Sequence, residues 1–505
     1  MRVRLQDQPL FLLLAAFASA SMFLPALYAL SVEDFTSART FLYSGLLGLF
    51  LSGIIALARG PRRRGRKEEL NGLLALFAAF LFLPILLALP FYETLRTTTY
   101  LNSYFEMVSS LTTTGATIFE DPRRLPNALH LWRAQVGWMG GLLMWIAAGA
   151  VMAPLLLGGF EVTSVAYDHM GETRLDQFRR AALLRRVGRI SALLVPVYAG
   201  LTGALWLFLI IGGDTAFVAL CHAMSTMATS GISPVGGIRN SQSGMGGEIV
   251  IFLFLFFALS RMTFSSDTSS ARQVIWRDPE FRMGAALILI VPGLLFLRHW
   301  VAAFEVDSGE DLMLGLRALW GALFTTLSFL STTGFVSAEW ETARMWSGLG
   351  TPGMILMGLA MIGGGVATTA GGVKLLRVFA LYLASRRELE RLVHPHSIGG
   401  SGSMSRRMRR RGAHHAWIFF MLFAMTLAAA TTLLAALGSG FEAAMLMSIA
   451  ALTTTGPLIH AAADVPISLA ELGPWAKATL CAVMIMGRLE LLAIIALFNP
   501  DLWRE

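Results

Sequence analysis

Residues 105–117 read FEMVSSLTTTGAT, and the same design returns three times along the chain. In each copy a short apolar stretch leads into Thr-Thr or Thr-Ser, then Gly, and then a sequence without a helical period. The further copies are ALCHAMSTMATSGIS at 219–233, ALFTTLSFLSTTGFV at 322–336 and AMLMSIAALTTTGPL at 444–458. Their glycines, separated by 116, 103 and 122 residues, are Gly115, Gly231, Gly334 and Gly456. Similar segments at a near-constant spacing indicate an architecture built from copies of one unit.

The surrounding 505-residue sequence is typical of a membrane protein. Hydrophobic residues make up 55% and charged residues 14%, against roughly 25% charged residues in average soluble domains. Ten apolar stretches reach the length of about 20 residues that a spanning helix needs, and they lie at 9–31, 40–58, 71–92, 134–160, 190–213, 244–264, 283–304, 345–373, 416–440 and 475–498. Each copy has one stretch directly before it and one directly after it, and two further stretches precede the first such unit. The sequence therefore predicts an all-α polytopic membrane protein.

The four Thr-Gly segments themselves point to an ion pathway. Irregular backbone at membrane depth is tolerated only where it is buried in protein or lines a water-filled cavity. Four such breaks are most simply accommodated on one central axis, where carbonyl oxygens can replace the hydration shell of an ion. Glycine permits the unusual backbone angles and close approach that this requires, and the C-terminal end of each preceding short helix favours a cation. One Thr-Thr-Gly is typical of any helix end, whereas four in matching context predict a cation pore.

Basic residues are distributed unevenly across the predicted spans. If the N-terminus is cytoplasmic, 29 Lys and Arg lie on that side and 10 on the other, with Arg488 inside a span. The positive-inside rule therefore predicts that both termini are cytoplasmic. The formal charge of +8 is then explained by topology and by contact with anionic membrane lipid, not by nucleic acid. We expect the first span to be retained, because its apolar run is long for a signal peptide and a second span follows.

A glycine-rich stretch interrupts the apolar run that follows the third copy. Residues 363–372 read GGGVATTAGG, and glycine disfavours a continuous helix by about 1 kcal/mol per residue relative to alanine. We interpret the stretch as a break that forms a mobile gating loop across the pore, the alternative being close helix packing through small residues. The residues assigned to this loop are Gly363, Gly364, Gly365, Gly371 and Gly372, with Lys374 at its cytoplasmic end.

Arg488 lies near the middle of the last apolar stretch. An arginine inside a span costs at least about 2.5 kcal/mol and should face a cavity or a partner. Glu490 is two residues away and therefore on another face of the helix, so a local ion pair between them is not expected. Arg488 is thus either a charge in the pore below the filter or one half of an interhelical salt bridge.

Together these features resemble the Trk/Ktr/HKT superfamily of potassium transporters. The four Thr-X-Gly segments, the glycine-rich break and the sequence Gly-Arg-Leu-Glu at 487–490 carry the resemblance, and the two early spans resemble the TrkH/TrkG branch. The resemblance implies four membrane-pore-membrane repeats around a pseudo-fourfold pore. Two N-terminal spans would occupy 1–68, and the repeats would occupy 69–160, 161–280, 281–395 with the intramembrane loop, and 396–505.

The resemblance also implies the ion site. Potassium would be bound mainly by backbone carbonyls from three residues of each repeat, namely Thr113, Thr114, Gly115, Thr229, Ser230, Gly231, Thr332, Thr333, Gly334, Thr454, Thr455 and Gly456. Family members with Ser in place of the first glycine tend toward sodium, so four glycines favour potassium. The residues that follow the glycines differ between repeats, which implies looser selectivity than in a tetrameric channel; they are Ala116, Ile232, Phe335 and Pro457.

Location and partners follow from the same resemblance. It implies a homodimer in a prokaryotic plasma membrane, with one pore per protomer. The chain has no soluble segment long enough for a nucleotide-binding domain, so regulation would come from a TrkA-like cytosolic nucleotide-binding subunit on the basic cytoplasmic face. K⁺ is the transported ion and no organic cofactor is implied. Because the sequence holds no nucleophile–base set, metal-ligand spacing or phosphate loop, an enzyme is not predicted.

Two other functions stay open from the sequence. A sodium-selective or Na⁺/H⁺-coupled cation transporter of the same superfamily would share the four repeats. A secondary transporter of a small organic solute also uses broken helices at the midplane. That class predicts paired breaks in two halves of the chain rather than four filters.

Overall fold

The computed structural model describes residues 8–58, 68–155, 157, 159, 183–260, 278–302, 312–394 and 412–498. Within these ranges every regular element is a helix. Eight helices are long and apolar enough to cross a membrane, namely Leu10–Ser31, Phe35–Ala58, Leu70–Leu95, Asn127–Leu155, Leu183–Ile211, Pro279–Arg298, Met313–Leu330 and Ala413–Ala436. The prediction of an all-α polytopic membrane protein is confirmed. The arginine-rich residues 62–67 and the Gly/Ser- and Arg-rich residues 396–411, which we interpret from the sequence as an orientation signal and a cytoplasmic linker, lie outside the described residues.

The two N-terminal spans pack as a pair against the first repeat. Helices Leu10–Ser21 and Phe23–Ser31 run in series and lie against Phe35–Ala58. Gly48 permits the close approach, because a Cβ atom there would lie 2.3 Å from the Ser19 Oγ. The ring of Phe41 meets Trp132 edge-on at 5.7 Å, and the Gln135 side chain donates to the Ser21 carbonyl. These contacts attach the pair to the helix that follows the first Thr-Gly segment.

Each repeat is built from three kinds of helix. The helices that begin the repeats, here called outer helices, are Glu68–Leu95, Leu183–Ile211, Pro279–Ala302 and Ala413–Ala436. The pore helices, which lead into the Thr-Gly segments, are Tyr100–Leu111, Ala216–Ala228, Leu312–Leu330 and Phe441–Leu452. The inner helices, which follow those segments, begin with Asn127–Ala147, Gly244–Leu255, Gly353–Ile362 and Pro474–Leu489.

The inner helices are interrupted, and three predicted spans are corrected accordingly. The span expected at 244–264 is a helix over Gly244–Leu255 that tightens to a 3₁₀ turn over Phe256–Leu259. The span expected at 345–373 is helical only over Gly353–Ile362, before the glycine-rich coil. The span expected at 475–498 is divided at Glu490, whose φ of 64° cannot continue a right-handed helix. In the first repeat the inner helix is interrupted by a π-helical turn over Ala148–Met152.

The pore helices differ in length, which the sequence did not predict. Three have 12, 13 and 12 residues, as expected for short elements. The third, Leu312–Leu330, has 19 residues and reaches spanning length, so the prediction of a short element in every repeat is wrong there. The pattern-based prediction started at Ala322, but the apolar run continues upstream without a helix-breaking proline.

Candidate ion pathway

All four pore helices end in the same strained conformation. Thr113, Thr229, Thr332 and Thr454 have φ values of 55°, 50°, 57° and 54°. A left-handed conformation is a genuine outlier for a β-branched residue and costs roughly 1–2 kcal/mol. In each repeat the next residue donates its N–H to a carbonyl five positions earlier at 2.8–2.9 Å, from Ser109, Ser225, Ser328 and Ala450 respectively. The sequence analysis assigned the unusual backbone angles to glycine and missed these threonines.

The four glycines join the segments into a closed ring. A Cβ atom on Gly115 would lie 1.8 Å from the Ser230 carbonyl oxygen, and one on Gly231 would lie 2.2 Å from that of Thr333. A Cβ on Gly334 would lie 3.0 Å from the Pro457 side chain, and one on Gly456 would lie 2.1 Å from the Ala116 nitrogen. Each segment therefore contacts the next in the order first, second, third, fourth and first again. At Gly115, Gly231 and Gly456 the nearest atom belongs to the backbone of the next segment, so a side chain is excluded there, whereas Gly334 packs against the ring of Pro457.

The fourth segment is chemically different from the other three. Gly456 lacks the positive φ of Gly115, Gly231 and Gly334, and its N–H donates to the Thr114 carbonyl at 2.6 Å. The chain then enters a short helix, Leu458–Ala461, because Pro457 has φ −59°, which suits the first turn of a helix. The predicted non-helical continuation is wrong in this repeat. Its Thr455 and Gly456 carbonyls accept bonds from Leu458 and Ile459, so they are less free to bind an ion.

The glycine-rich stretch leaves its helix after Ile362 and returns to the same place. Val373 donates its N–H to the Met361 carbonyl and Lys374 donates to that of Ile362, both at 2.9 Å. Gly363 and Gly372 form the neck, where a Cβ on Gly363 would lie 2.8 Å from the Gly372 Cα. The stretch is therefore a loop closed on itself, and we call residues 363–374 the intramembrane loop.

The intramembrane loop lies against the ends of three pore helices. The Thr229 hydroxyl donates to that of Thr369 at 3.1 Å, and the Gly371 N–H donates to the Thr332 hydroxyl at 2.7 Å. A Cβ on Gly371 would lie 2.2 Å from the Thr453 carbonyl, which leaves glycine as the residue that fits. The loop thus covers the side of the ring on which the strained threonines lie.

The loop is anchored on its other side by two contacts. The buried carboxylate of Glu280 accepts the Val366 N–H at 3.0 Å, and the Gly365 N–H donates to the Ala258 carbonyl at 3.0 Å. Lys374 is buried and donates to the Ala370 carbonyl. Lys374 lies at the end of the loop, as expected from the sequence, and its cytoplasmic location stays a prediction. The signal missed in the sequence is Glu280, an acid in the first turn of the helix Pro279–Ala302.

Arg488 is buried and contacts the intramembrane loop. Its Nη1 donates to the Thr369 carbonyl at 2.6 Å, while its Nε and Nη2 have no hydrogen-bond partner among the described residues. No carboxylate of the described chain pairs with Arg488; the interhelical salt bridge in this region instead joins Arg377 to Glu490 at 2.6 Å. Arg377 also lies over the Phe419 ring at 3.8 Å. Arg488 is therefore a buried cation beside the intramembrane loop, without a carboxylate partner among the described residues.

Comparisons with known proteins agree with this architecture. A family described as "TrkH: Cation transport protein" matches residues 317–504. The chain is 31% identical over 504 residues to the Trk system potassium uptake protein TrkH of Salmonella typhimurium and 30% identical to that of Escherichia coli K12, with 98% of each chain covered. The crystal structure of the potassium transporter TrkH from Vibrio parahaemolyticus has the same fold, with a TM-score of 0.80, 24% identity and 99% coverage of both chains.

Proposed function

The chain belongs to the TrkH family of cation transport proteins, and we propose that it takes up potassium across a prokaryotic plasma membrane. The observation that carries the proposal is the closed ring of four Thr-X-Gly segments, each in contact with the next. A ring of inward carbonyl oxygens can replace the hydration shell of K⁺. The relatives with the same overall length are potassium uptake proteins by name, which supports the same cargo.

The ion would be bound by the twelve filter residues named from the sequence, mostly through backbone carbonyls. The strained threonines turn each chain sharply at the end of its pore helix, and the glycines let the four chains approach. The hydroxyls of Thr113 and Thr454 have no hydrogen-bond partner among the described residues. They are therefore free to coordinate an ion or its water on the loop side of the ring. The Thr455 and Gly456 carbonyls of the fourth segment and the Thr114 carbonyl of the first already accept hydrogen bonds, so the four sides of the ring would not be equivalent.

The intramembrane loop and Arg488 would form the gate of this pathway. The loop covers the threonine side of the ring, and the arginine adds a fixed positive charge beside it. An ion leaving the ring must pass both. The assigned gate residues are Gly363, Gly364, Gly365, Gly371, Gly372, Lys374 and Arg488. The neck of the loop joins Gly363 to Gly372, so movement of the whole loop as one unit is the simplest way to open it.

The assembly proposed for the chain is a homodimer with cytoplasmic termini and a separate nucleotide-binding subunit. The name of the relatives, Trk system, fits a multicomponent transporter. The helix after the loop, Leu375–Val393, ends in charged side chains that are exposed, including those of Arg386, Glu388 and Arg391. A cytosolic partner that contacts this end could act on the loop directly, because the same helix begins at the loop.

Flux in liposomes tests the proposed function. Purified protein should carry K⁺ down an imposed gradient, faster than Na⁺, and should ignore small organic solutes. Saturable uptake of an organic solute without K⁺ flux would instead favour a secondary transporter. Faster Na⁺ than K⁺ flux would favour the sodium-selective alternative. The same vesicles with and without a proton gradient distinguish passive from coupled transport.

A further inference from the structure

A buried carboxylate holds the chain just beyond the first filter segment. Glu106 lies in the first pore helix, nine residues before Gly115, and is fully buried. Its Oε1 accepts the Thr117 hydroxyl at 2.8 Å and the Ile118 N–H at 2.6 Å. Its Oε2 forms an ion pair with the Arg133 Nε at 2.9 Å. The carboxylate therefore ties the residues two and three positions after the filter glycine to the inner helix.

A second buried carboxylate holds the chain just beyond the third filter segment, although this one comes from an inner helix rather than from a pore helix. Glu248 lies on the inner helix of the second repeat and is 2% exposed. Its Oε1 accepts the Ala338 N–H at 2.7 Å, and its Oε2 accepts from the Ser337 hydroxyl at 2.7 Å and the Trp320 indole at 2.9 Å. Ser337 and Ala338 follow Gly334 by three and four residues. The first and third segments lie opposite each other in the ring.

In the second and fourth repeats the chain beyond the filter glycine is held by contacts other than a carboxylate. At the position of Glu106 the second repeat has His222, which shares one hydrogen bond of 2.9 Å with the Ser233 hydroxyl. The fourth repeat has Met447 there, and its chain is held instead by the short helix after Pro457. Among the described residues, a carboxylate next to the filter exit is thus found in the first and third segments, which lie on one diagonal of the ring.

We propose that Glu106 and Glu248 are positioning residues for the filter, and that their bonds to the chain beyond Gly115 and Gly334 set the preference for K⁺ over Na⁺. The inference rests on the proposed function and deepens it. Neither carboxylate touches the ion; each fixes the exit direction of a filter strand and therefore the orientation of the carbonyls before it. Because K⁺ and Na⁺ differ in the size of the ring they require, loosening one diagonal lets the ring adapt to the smaller ion.

The test uses substitutions that the chain itself suggests. Glu106→Met gives the first repeat the residue that the fourth repeat has at the equivalent position, and it removes the contacts to Thr117, Ile118 and Arg133. Glu106→Gln keeps an oxygen for Thr117 and Ile118 but loses the charge facing Arg133. Glu248→Met removes the brace of the third repeat. Asp214→Asn is the control, since Asp214 is a buried carboxylate whose partners, Ser241 and Ser243, lie ten and twelve residues beyond Gly231 rather than next to the filter.

The readout is the K⁺/Na⁺ permeability ratio of folded protein in liposomes, with the folded fraction measured by size-exclusion chromatography. Because hydrogen bonds to a charged acceptor are among the stronger side-chain contacts, we expect Glu106→Met and Glu248→Met to lower the ratio about tenfold or more. Glu106→Gln should lower it less, and Asp214→Asn should leave it unchanged. An unchanged ratio in both Met variants, with K⁺ flux present, would overturn the inference. Absence of K⁺ flux in the wild-type protein would instead overturn the proposed function.

If the Met variants yield too little folded protein, Glu106→Gln and Glu248→Gln decide the matter. The glutamine amide at 248 places a donor against the Ser337 hydroxyl or the Trp320 indole N–H, so Glu248→Gln breaks part of the brace while it keeps the side-chain shape. We expect Glu248→Gln to lower the permeability ratio more than Glu106→Gln. Equal ratios in the wild type and both Gln variants would contradict the inference.

Discussion

Replacing Arg488 by glutamine should raise potassium flux, because its charge lies beside the proposed ion path. The Arg488 Nη1 is 2.6 Å from the Thr369 carbonyl oxygen, and the Thr369 hydroxyl is 3.1 Å from that of Thr229 at the end of a pore helix. One residue thus separates the guanidinium from the ring. At about 6 Å and an effective dielectric constant near 20, the repulsion of a monovalent cation is about 3 kcal/mol. That energy corresponds to roughly a hundredfold in rate.

Substitution of Arg488 by glutamine removes the positive charge but keeps a hydrogen-bond donor at this position. The glutamine amide can still donate to the Thr369 carbonyl, so the loop keeps a bond while the repulsion is lost. Water in the pathway weakens the repulsion, and we therefore expect a rise of about tenfold to a hundredfold. Lys477→Gln is the matched control: Lys477 is a buried cation on the same helix, eleven residues earlier and thus about 16 Å away along the helix axis. Its loss should change flux by only a few fold.

The assay is K⁺ efflux from liposomes, scaled to the amount of folded protein. Arg488→Gln should conduct faster than the wild type and retain its K⁺/Na⁺ permeability ratio, because the filter residues are unchanged. Lower flux in Arg488→Gln at normal folded yield would refute the electrostatic reasoning. Equal increases in Arg488→Gln and Lys477→Gln would also refute it, since the effect would then not depend on position.

Two further predictions concern the loop and the ion pair beside it. Deleting residues 364–371 should raise K⁺ flux. Combined with Arg488→Gln, the deletion should raise flux by less than the product of the two separate fold-increases, because the loop and Arg488 obstruct the same path. A fold-increase in liposome flux equal to that product would contradict a shared barrier. Glu490→Gln should lower the free energy of unfolding by about 3–5 kcal/mol, because it leaves the buried charge of Arg377 without its partner. Glu388→Gln, in the exposed pair with Arg391, should lower it by less than about 1 kcal/mol. Thermal unfolding in detergent measures both variants, and equal melting temperatures would count against a buried ion pair.

The filter ring could be predicted from the sequence because its signal is repeated. Four Thr-X-Gly segments in the same apolar context leave few arrangements at membrane depth, and each glycine does lie against the next segment around the ring. The break at 363–372 was predictable for a related reason, since several glycines in an apolar run oppose a continuous helix.

Features that depend on tertiary contacts could not be predicted in the same way. The strain at Thr113 and its three equivalents comes from the hydrogen bond each next residue makes to its own pore helix, and threonine gives no hint of it. Glu490 pairs with Arg377, 113 residues away, and Glu248 braces a segment of a different repeat. The helical continuation after Gly456 was readable in principle, because Pro457 suits a helix start, but the likeness to the other three repeats suggested the opposite.

The most direct test of the account is the K⁺/Na⁺ permeability ratio of Gly115→Ser in liposomes. A Cβ at this position would lie 1.8 Å from the Ser230 carbonyl oxygen, and φ is 73°, so serine must displace the ring at the proposed ion site. Gly203→Ser is the control, because the space around Gly203 is open. We predict that the ratio falls about tenfold or more in folded Gly115→Ser protein and stays at the wild-type value in Gly203→Ser. A wild-type ratio in folded Gly115→Ser protein would contradict the assignment of the four Thr-X-Gly segments as the potassium filter.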